Sequence, residues 1–394
     1  MLTQRQLFIN HLAQTSETPL GLEIESAEGI YLYDSSGKKY MDLISGISVS
    51  NVGHRHPVVL KAIRDQLDKY LHLMVYGEYI QAPQVQLSTL LAELLPGDLN
   101  SVYFVNSGSE AIEGAMKLAK RYTGRTEVIS FKNAYHGSTQ GSLSIMGNEE
   151  FKNAFRPLLP DIKQLDYNNI SRLDEITSRT ACVFVETIQG EAGAITPKEN
   201  FLQLLRERCN AVGALLIADE IQTGFGRTGK LFAFEHYDFI PDILCIAKGM
   251  GGGMPIGAFI SSKTIMGSLS NNPILGHITT FGGHPVSCAA SKATIEVILK
   301  NKLIDSVLEK EKLFRELLIH PQINSINGRG LLLSVEFNSY EQNKSVIDLC
   351  IENGIITDWF LFNSHSMRIA PPLTITTEEI KEACKIILSC VKKV

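Results

Sequence analysis

The chain has 394 residues, 44% hydrophobic and 20% charged, with a formal net charge of −5. That length suits one large folded unit with a smaller one beside it. The mild acidic excess excludes a basic nucleic-acid-binding surface and falls well short of a disordered acidic chain.

The opening string MLTQRQLFINHL has no basic region ahead of an apolar run, and no stretch reaches the length of a membrane span. A cytoplasmic protein with no membrane partner is expected. Seven cysteines, none in a CxxC pair, cannot all pair within one chain. Apolar neighbours such as Ala181 and Val183 around Cys182 suit buried free thiols in a reducing compartment.

Residues 1–50 hold two strand-like pieces, at 29–33 and 39–43, divided by a Ser-Ser-Gly turn. This segment is expected to pack with the C-terminal part. From 51 to 292 the chain alternates β-rich runs (102–105, 127–131, 181–186, 214–218, 243–247 and 256–260) with helical patterns such as 110–122 and 200–210. Several runs are apolar on both faces, as strands covered on both sides must be. The alternation predicts a large α/β domain around a mostly parallel sheet. From 293 to 394 the texture changes to a smaller α+β domain. Residues 292–318 read as one long charged amphipathic helix. A strand at 331–337, a helix at 341–353 and a strand at 366–369 follow, then a stop at Pro371 and Pro372 and a last helix from Thr377.

Three segments carry chemistry. VNSGSEA (105–111) joins a predicted strand to a predicted helix. Ser107, Gly108 and Ser109 would offer hydroxyls and backbone N–H groups where the helix dipole favours an anion. The same residues also suit plain N-capping, with Ser109 as the cap. LLIADEIQTGFGRTG (215–229) ends a strand in Asp219 and Glu220, and a carboxylate there points into the crevice where α/β sheets bind ligands. Asp219 could equally cap the next turn. DILCIAKGMGGGMPIG (242–257) puts Lys248 at the end of an apolar run, ahead of Gly249, Gly251, Gly252 and Gly253. Desolvation there would lower the amine's pKa and make it a nucleophile. A lysine reaching out to solvent from a strand end is the plainer alternative. Together the segments supply an anion site, a carboxylate and an amine, the set that pyridoxal phosphate requires. Neither the G-x-G-x-x-G spacing of nicotinamide enzymes nor a Walker P-loop is present.

Over nearly its whole length the chain resembles the class III aminotransferases, the ornithine, acetylornithine, 4-aminobutyrate and omega-amino-acid group. The matching strings are GISVSNVGHRHP (46–57), NSGSEA, YHGST (135–139), VETIQGEAG (185–193), IADEIQTGFGRTG, AKGMGGGMPIG, TFGGHP (280–285) and MRIAPPLT (367–374). The resemblance implies the aspartate-aminotransferase-like fold type I, with a mostly parallel seven-stranded sheet and a small domain built from both termini. It implies pyridoxal 5'-phosphate as cofactor and ping-pong transfer from an amino donor to a 2-oxo acid. It assigns Lys248 as the Schiff-base lysine that also moves the Cα proton, and Asp219 as the partner of the pyridine nitrogen. Gln222 lies near the phenolic oxygen, Gly108 and Ser109 hold the phosphate, and Tyr135 stacks on the ring. Glu186 borders the cofactor. Thr280 resembles a phosphate ligand given by a second subunit, which implies a homodimer with shared sites. Arg368 resembles the grip on the substrate's carboxylate, with Glu191 as its switchable partner. His54, His56 and His136 are expected to be structural hydrogen-bonders, and no metal spacing is present.

Two departures bear on the substrate. Several members have Arg where this chain has Ser138, which offers only a neutral hydrogen bond to a distal carboxylate. Ornithine-specific members carry Tyr at the position of Ile47, so Ile47 argues against ornithine. Glu78 either meets a positive substrate group or is a solvated surface acid. Acetylornithine and 4-aminobutyrate remain candidate donors. Other readings are a same-fold lyase, racemase or mutase, or a non-catalytic cofactor-binding regulator.

Overall fold

Strands that are apolar on every residue can be stable only between two covering layers. The computed structural model, which describes residues 2–198 and 200–394 and leaves Met1 and Glu199 outside the description, builds its largest sheet from such strands. Ahead of that sheet, β1 (Ile24–Glu28), β2 (Tyr31–Asp34) and β3 (Lys39–Asp42) form an antiparallel meander. The large sheet follows: β4 (Ser101–Val105), β5 (Glu127–Phe131), β6 (Ile162–Leu165), β7 (Thr180–Glu186), β8 (Leu215–Asp219), β9 (Ile243–Ile246) and β10 (Gly257–Ser261). Its seven strands run in the order β4-β10-β9-β8-β7-β5-β6. Only β10 runs against its neighbours, antiparallel to both β4 and β9. The expected seven-stranded, parallel-dominated sheet is thus present.

Every residue of β7, β8, β9 and β10 is buried. Alternate side chains serve opposite faces. Ile217 packs with Ile112, Ala115 and Met116 of the helix Gly108–Thr123. Leu216 and Ala218 pack on the other face with Leu205 of Phe201–Val212 and Ile295 of Pro285–Lys300. The sequence pattern missed β6. It is an edge strand whose Lys163 and Gln164 break the apolar run, and it pairs with β5 alone. It also missed β1, whose residues are mostly exposed and polar.

The C-terminal part adds β11 (Ser325–Arg329), β12 (Leu332–Glu336), β13 (Ile355–Ile356), β14 (Trp359–Phe360) and β15 (Asn363–Ile369). β13 pairs in parallel with β3, which ties the first strands to the end of the chain. Ile30, Met41 and Leu43 share one apolar core with Phe314, Leu333, Ile369 and Ile387. The expected single helix over 292–318 is instead two, Pro285–Lys300 and Val307–Leu317. Lys302, at φ +51°, adopts the left-handed conformation that a continuing helix forbids. A domain boundary at 292 would cut the first helix, whose Ile295 and Ile298 belong to the core of the large sheet.

Candidate active site

The parallel register brings the chemistry to one edge. Glu186, the last residue of β7, pairs with Asp219, the last of β8, and Asp219 pairs with Cys245 of β9, just ahead of Lys248. Loops leaving the carboxyl ends of parallel strands form the crevice where such sheets bind ligands. A cavity of about 410 Å³ lies there, lined by Gly108, Ser109, Tyr135, Glu186, Asp219, Gln222 and Lys248. Seven of the residues expected at a cofactor site are thus brought together, and Thr280 is not among them.

Each wall has a local cause. The helix Gly108–Thr123 starts directly below the cavity, with its free N–H groups facing an incoming anion. Its cap is Ser107, whose Oγ accepts from the Glu110 N–H at 3.2 Å, so the capping reading for Ser109 is corrected. Ser109 is released to face the cavity, and its Oγ accepts from the Ser138 N–H at 3.4 Å. Gly137, at φ +121°, closes this corner, and a β-carbon there would collide with Ser109 Oγ.

Strand alternation separates the two adjacent carboxylates at the end of β8. Asp219 faces the cavity, with Oδ2 2.7 Å from His136 Nδ1 and Oδ1 accepting from the Ile221 N–H at 3.0 Å. Glu220 points the other way, where Thr187, Thr223 and the N–H groups of Ala233 and Phe234 satisfy it. Burial raises the Glu220 pKa against those hydrogen bonds. Glu186 accepts N–H bonds from Tyr135 and Gly190, each 3.1 Å. Burial, then the nearby Asp219 charge, pushes its carboxyl well above the usual range. Gln222 Nε2 is buried and has no protein partner. A buried amide left unpaired is costly unless a ligand completes it.

Lys248 follows β9 at φ +47°, an uncommon conformation for a residue with a side chain. Burial lowers its ammonium pKa, against the favourable charges of Glu191, Asp219 and Glu186. The adjoining turn Ser45–Ser48 packs against Lys248–Gly251, and Ile47 in it sits at φ +64°. A β-branched residue in that region is strained, as positions near functional sites often are.

Arg368 lies beside the cavity lining rather than in it. It is 1% exposed. Its Nη1 and Nη2 donate to Glu191 Oε1 and Oε2, both at 3.0 Å, and its Nε donates to Asp358 Oδ1 at 2.9 Å. The guanidinium also lies 4.3 Å from the centre of the Phe360 ring. Burial raises the Glu191 pKa, but the Arg368 charge outweighs it and holds the carboxyl below its ordinary value. Asp358 and Phe360 gave no sequence signal. The turn at Leu361 and Phe362 was missed as well. The Phe362 ring lies tilted against Tyr135 at 6.3 Å and edge-on to Phe151 at 5.2 Å, while Ser138 Oγ sits 3.2 Å from the Tyr135 hydroxyl.

The three histidines have structural partners. His54 pairs with Asp42 at 2.8 Å, His56 caps the helix Pro57–Leu67, and His136 holds Asp219. Among the described residues no cluster of His, Cys, Asp or Glu could hold a metal ion.

The class-III aminotransferase family model matches residues 12–391. The chain belongs to that family. It is 39% identical over 376 residues to an acetylornithine aminotransferase of Methanopyrus kandleri, spanning 95% of this chain and 94% of that one. It is 40% identical over 380 residues to a putrescine aminotransferase of Pectobacterium atrosepticum, spanning 92% of this chain and 80% of that one. Among solved structures, the ornithine aminotransferase of Toxoplasma gondii superposes with a TM-score of 0.92 at 31% identity, covering 100% of this chain and 96% of that one. An amine transaminase from an uncultivated Pseudomonas species, in its PLP-bound form, superposes at 0.90 with 26% identity, covering 97% and 98%. The fold is the PLP-dependent transferase fold type I, the activity is amino-group transfer, and the cofactor is pyridoxal phosphate. The cavity of this class-III aminotransferase fits that cofactor. A helix N-terminus can take the phosphate, an oriented carboxylate can take the ring nitrogen, and the orphaned Gln222 amide can take a ring oxygen. No described helix is long and apolar enough to cross a membrane.

Proposed function

We propose that the cavity at the ends of β4, β7, β8 and β9 is where Lys248 carries the cofactor and moves the substrate's Cα proton, and that the enzyme aminates a 2-oxo acid at the expense of an amino-acid or omega-amine donor. The single observation behind this reading is the register that lines up Glu186, Asp219 and Lys248 at one sheet edge above a helix N-terminus. When bound, the cofactor supplies an electron-withdrawing ring that stabilises the negative charge left on Cα.

The chain's residues do the rest. Ser109 and the N–H groups from Gly108 onward would hold the phosphate. Asp219, kept in place by His136, would serve the ring nitrogen, and the Gln222 amide would donate to the ring oxygen. Tyr135 would cover the ring, and Glu186 borders the cavity while fixing the Tyr135 and Gly190 backbone. The Lys248 amine, whose pKa burial lowers, accepts the Cα proton and returns it. Arg368 takes the substrate carboxylate when Glu191 withdraws. Ile47 gives an apolar wall near the entrance. Acetylornithine and 4-aminobutyrate types remain among the candidate donors, and the relatives add putrescine. Seven buried, unpaired cysteines favour a reducing, cytoplasmic setting. The two apolar cores favour a large domain from 51 and a small C-terminal domain, beginning at the turn after Lys300, with which the N-terminal segment 1–50 packs. A panel of amine donors with pyruvate and 2-oxoglutarate as acceptors tests the reading, which fails if the cofactor-loaded enzyme aminates neither acceptor.

The acceptor preference follows from Ser138, whose neutral hydroxyl is engaged with Tyr135 and Ser109. A charge-assisted pair is worth about 1.5–3 kcal/mol, or roughly ten- to a hundredfold in binding. Ser138→Arg should raise kcat/KM for 2-oxoglutarate relative to pyruvate by about tenfold. A wild-type enzyme that already favours 2-oxoglutarate by orders of magnitude would show that another cation does this work.

The active unit is a homodimer in this reading. Thr280 is exposed, on a segment where Ile274, Leu275, Ile278 and Phe281 are exposed too. His72 packs on Phe281 and bonds the Thr280 carbonyl at 2.8 Å, joining this segment to a second apolar one with Leu71, Leu73, Tyr79 and Ile80. Covering such a surface with a second copy would bring Thr280 to the partner's phosphate site. Thr280→Ala should weaken cofactor retention by about tenfold, and removing the cofactor should raise the dimer's dissociation constant. Sedimentation of an active monomer would refute this.

A further inference from the structure

Arg368 is shared by two carboxylates that hold it in different ways. Glu191 occupies the Nη1 and Nη2 edge, the one a substrate carboxylate would need. Asp358 occupies Nε from the side, at 2.9 Å. The Asp358 backbone is paired with that of Arg368, which keeps the two residues neighbours. The Arg368 N–H donates to the Asp358 carbonyl at 2.8 Å, and Thr357 Oγ1 donates to the Arg368 carbonyl at 2.6 Å. Glu191, which has no backbone bond to Arg368, is the partner that withdraws in the aminotransferase reading of the cavity. It is carried on the loop after β7, and the turn following β14 holds it through the Leu361 N–H, 3.1 Å from Oε2.

The charges then sum differently from those of a lone arginine. With Glu191 in place the three groups total −1 and the Nη1 and Nη2 edge that a carboxylate would grip is already taken. With Glu191 withdrawn, Arg368 and Asp358 form a neutral pair, so an entering carboxylate finds hydrogen-bond donors but no net positive charge. Burial raises the Asp358 pKa, and the Arg368 charge opposes that rise and favours the carboxylate form.

We propose that Asp358 sets the charge preference of this aminotransferase, by keeping Arg368 compensated through Nε and so biasing the site toward donors of the diamine or omega-amine class that bring no carboxylate to it. The inference rests on the aminotransferase reading of the cavity. Asp358 acts through Arg368 and is a specificity-determining, positioning residue.

The test is calorimetric, on cofactor-loaded protein, with valerate as an unreactive carboxylate and valeramide as its uncharged counterpart. Asp358→Asn keeps an oxygen for Nε and the backbone pairing, and removes the charge. Valerate should bind about tenfold more tightly to the variant, as expected for removing a like charge within several ångströms at a partly shielded site. Valeramide affinity should not change, and KM for a 2-oxo acid acceptor should fall more than kcat. Asp358→Ser, which removes the charge by another route, should reproduce the valerate effect if the Asn variant melts early. Valerate affinities within twofold of wild type in both variants, an equal shift for valeramide, or no valerate binding to any of the proteins would each overturn the proposal. Wild-type enzyme that converts no donor would sink the aminotransferase assignment instead, and leaves the valerate comparison readable.

Discussion

Lys248→Ala is expected to abolish amino transfer and to leave borohydride with no lysine on which to fix the cofactor. The amine stands at the end of a fully buried strand, in a left-handed backbone conformation, at the rim of the cavity. Burial makes its neutral form accessible, and only the neutral form can act as nucleophile or base. Losing a general base alone costs about 10²–10⁴ in rate, and here the covalent attachment goes with it. Because the folded pKa is lowered, the active amine should persist to lower pH than an ordinary lysine would allow, and activity should fall only as the pH drops through that lowered value. Mass spectrometry of peptides from reduced wild-type protein reads the result. Cofactor found on another lysine would remove Lys248 from its role.

Asp219→Asn is expected to give the second largest loss. The substitution keeps an acceptor for the Ile221 N–H and a group facing His136, so the fold should stand. What goes is the buried negative charge at the cavity wall, which in the proposed function serves the ring nitrogen. Removing one preorganised electrostatic contact of this kind costs about 10²–10³ in kcat. The loss should fall on kcat more than on KM, with cofactor still bound as measured by absorbance after gel filtration. A variant within fivefold of wild type would mean that His136 and Asp219 serve only to shape the loop.

Much of this site could be read along the chain because its parts are local. A Gly beside two Ser at a helix start, an Asp at a strand end and a Lys before a run of Gly each carry their own backbone requirement. Pattern reading failed where that local link broke. β6 is an edge strand with two polar residues, and edge strands need burial on one side only. The helix expected over 292–318 breaks at Lys302, whose left-handed turn has no glycine to announce it. Ser107 rather than Ser109 caps the helix, a choice between neighbours that only the final backbone angles make.

Short contiguous strings carried the parallel-dominated α/β sheet and the family motifs, and they marked Lys248, Asp219 and Ser109, which the fold brings to one cavity. Tertiary structure alone placed Asp358 beside Arg368 and so decided the net charge of the cluster that Arg368 forms with Glu191. Glu191 reaches it from the loop after β7, and Asp358 reaches it through the pairing of Asp358 with Arg368 across a hairpin. No periodicity links those three positions. Coulomb interaction depends on separation in space, and a distant stretch of chain contributes to it only once folding has brought it alongside.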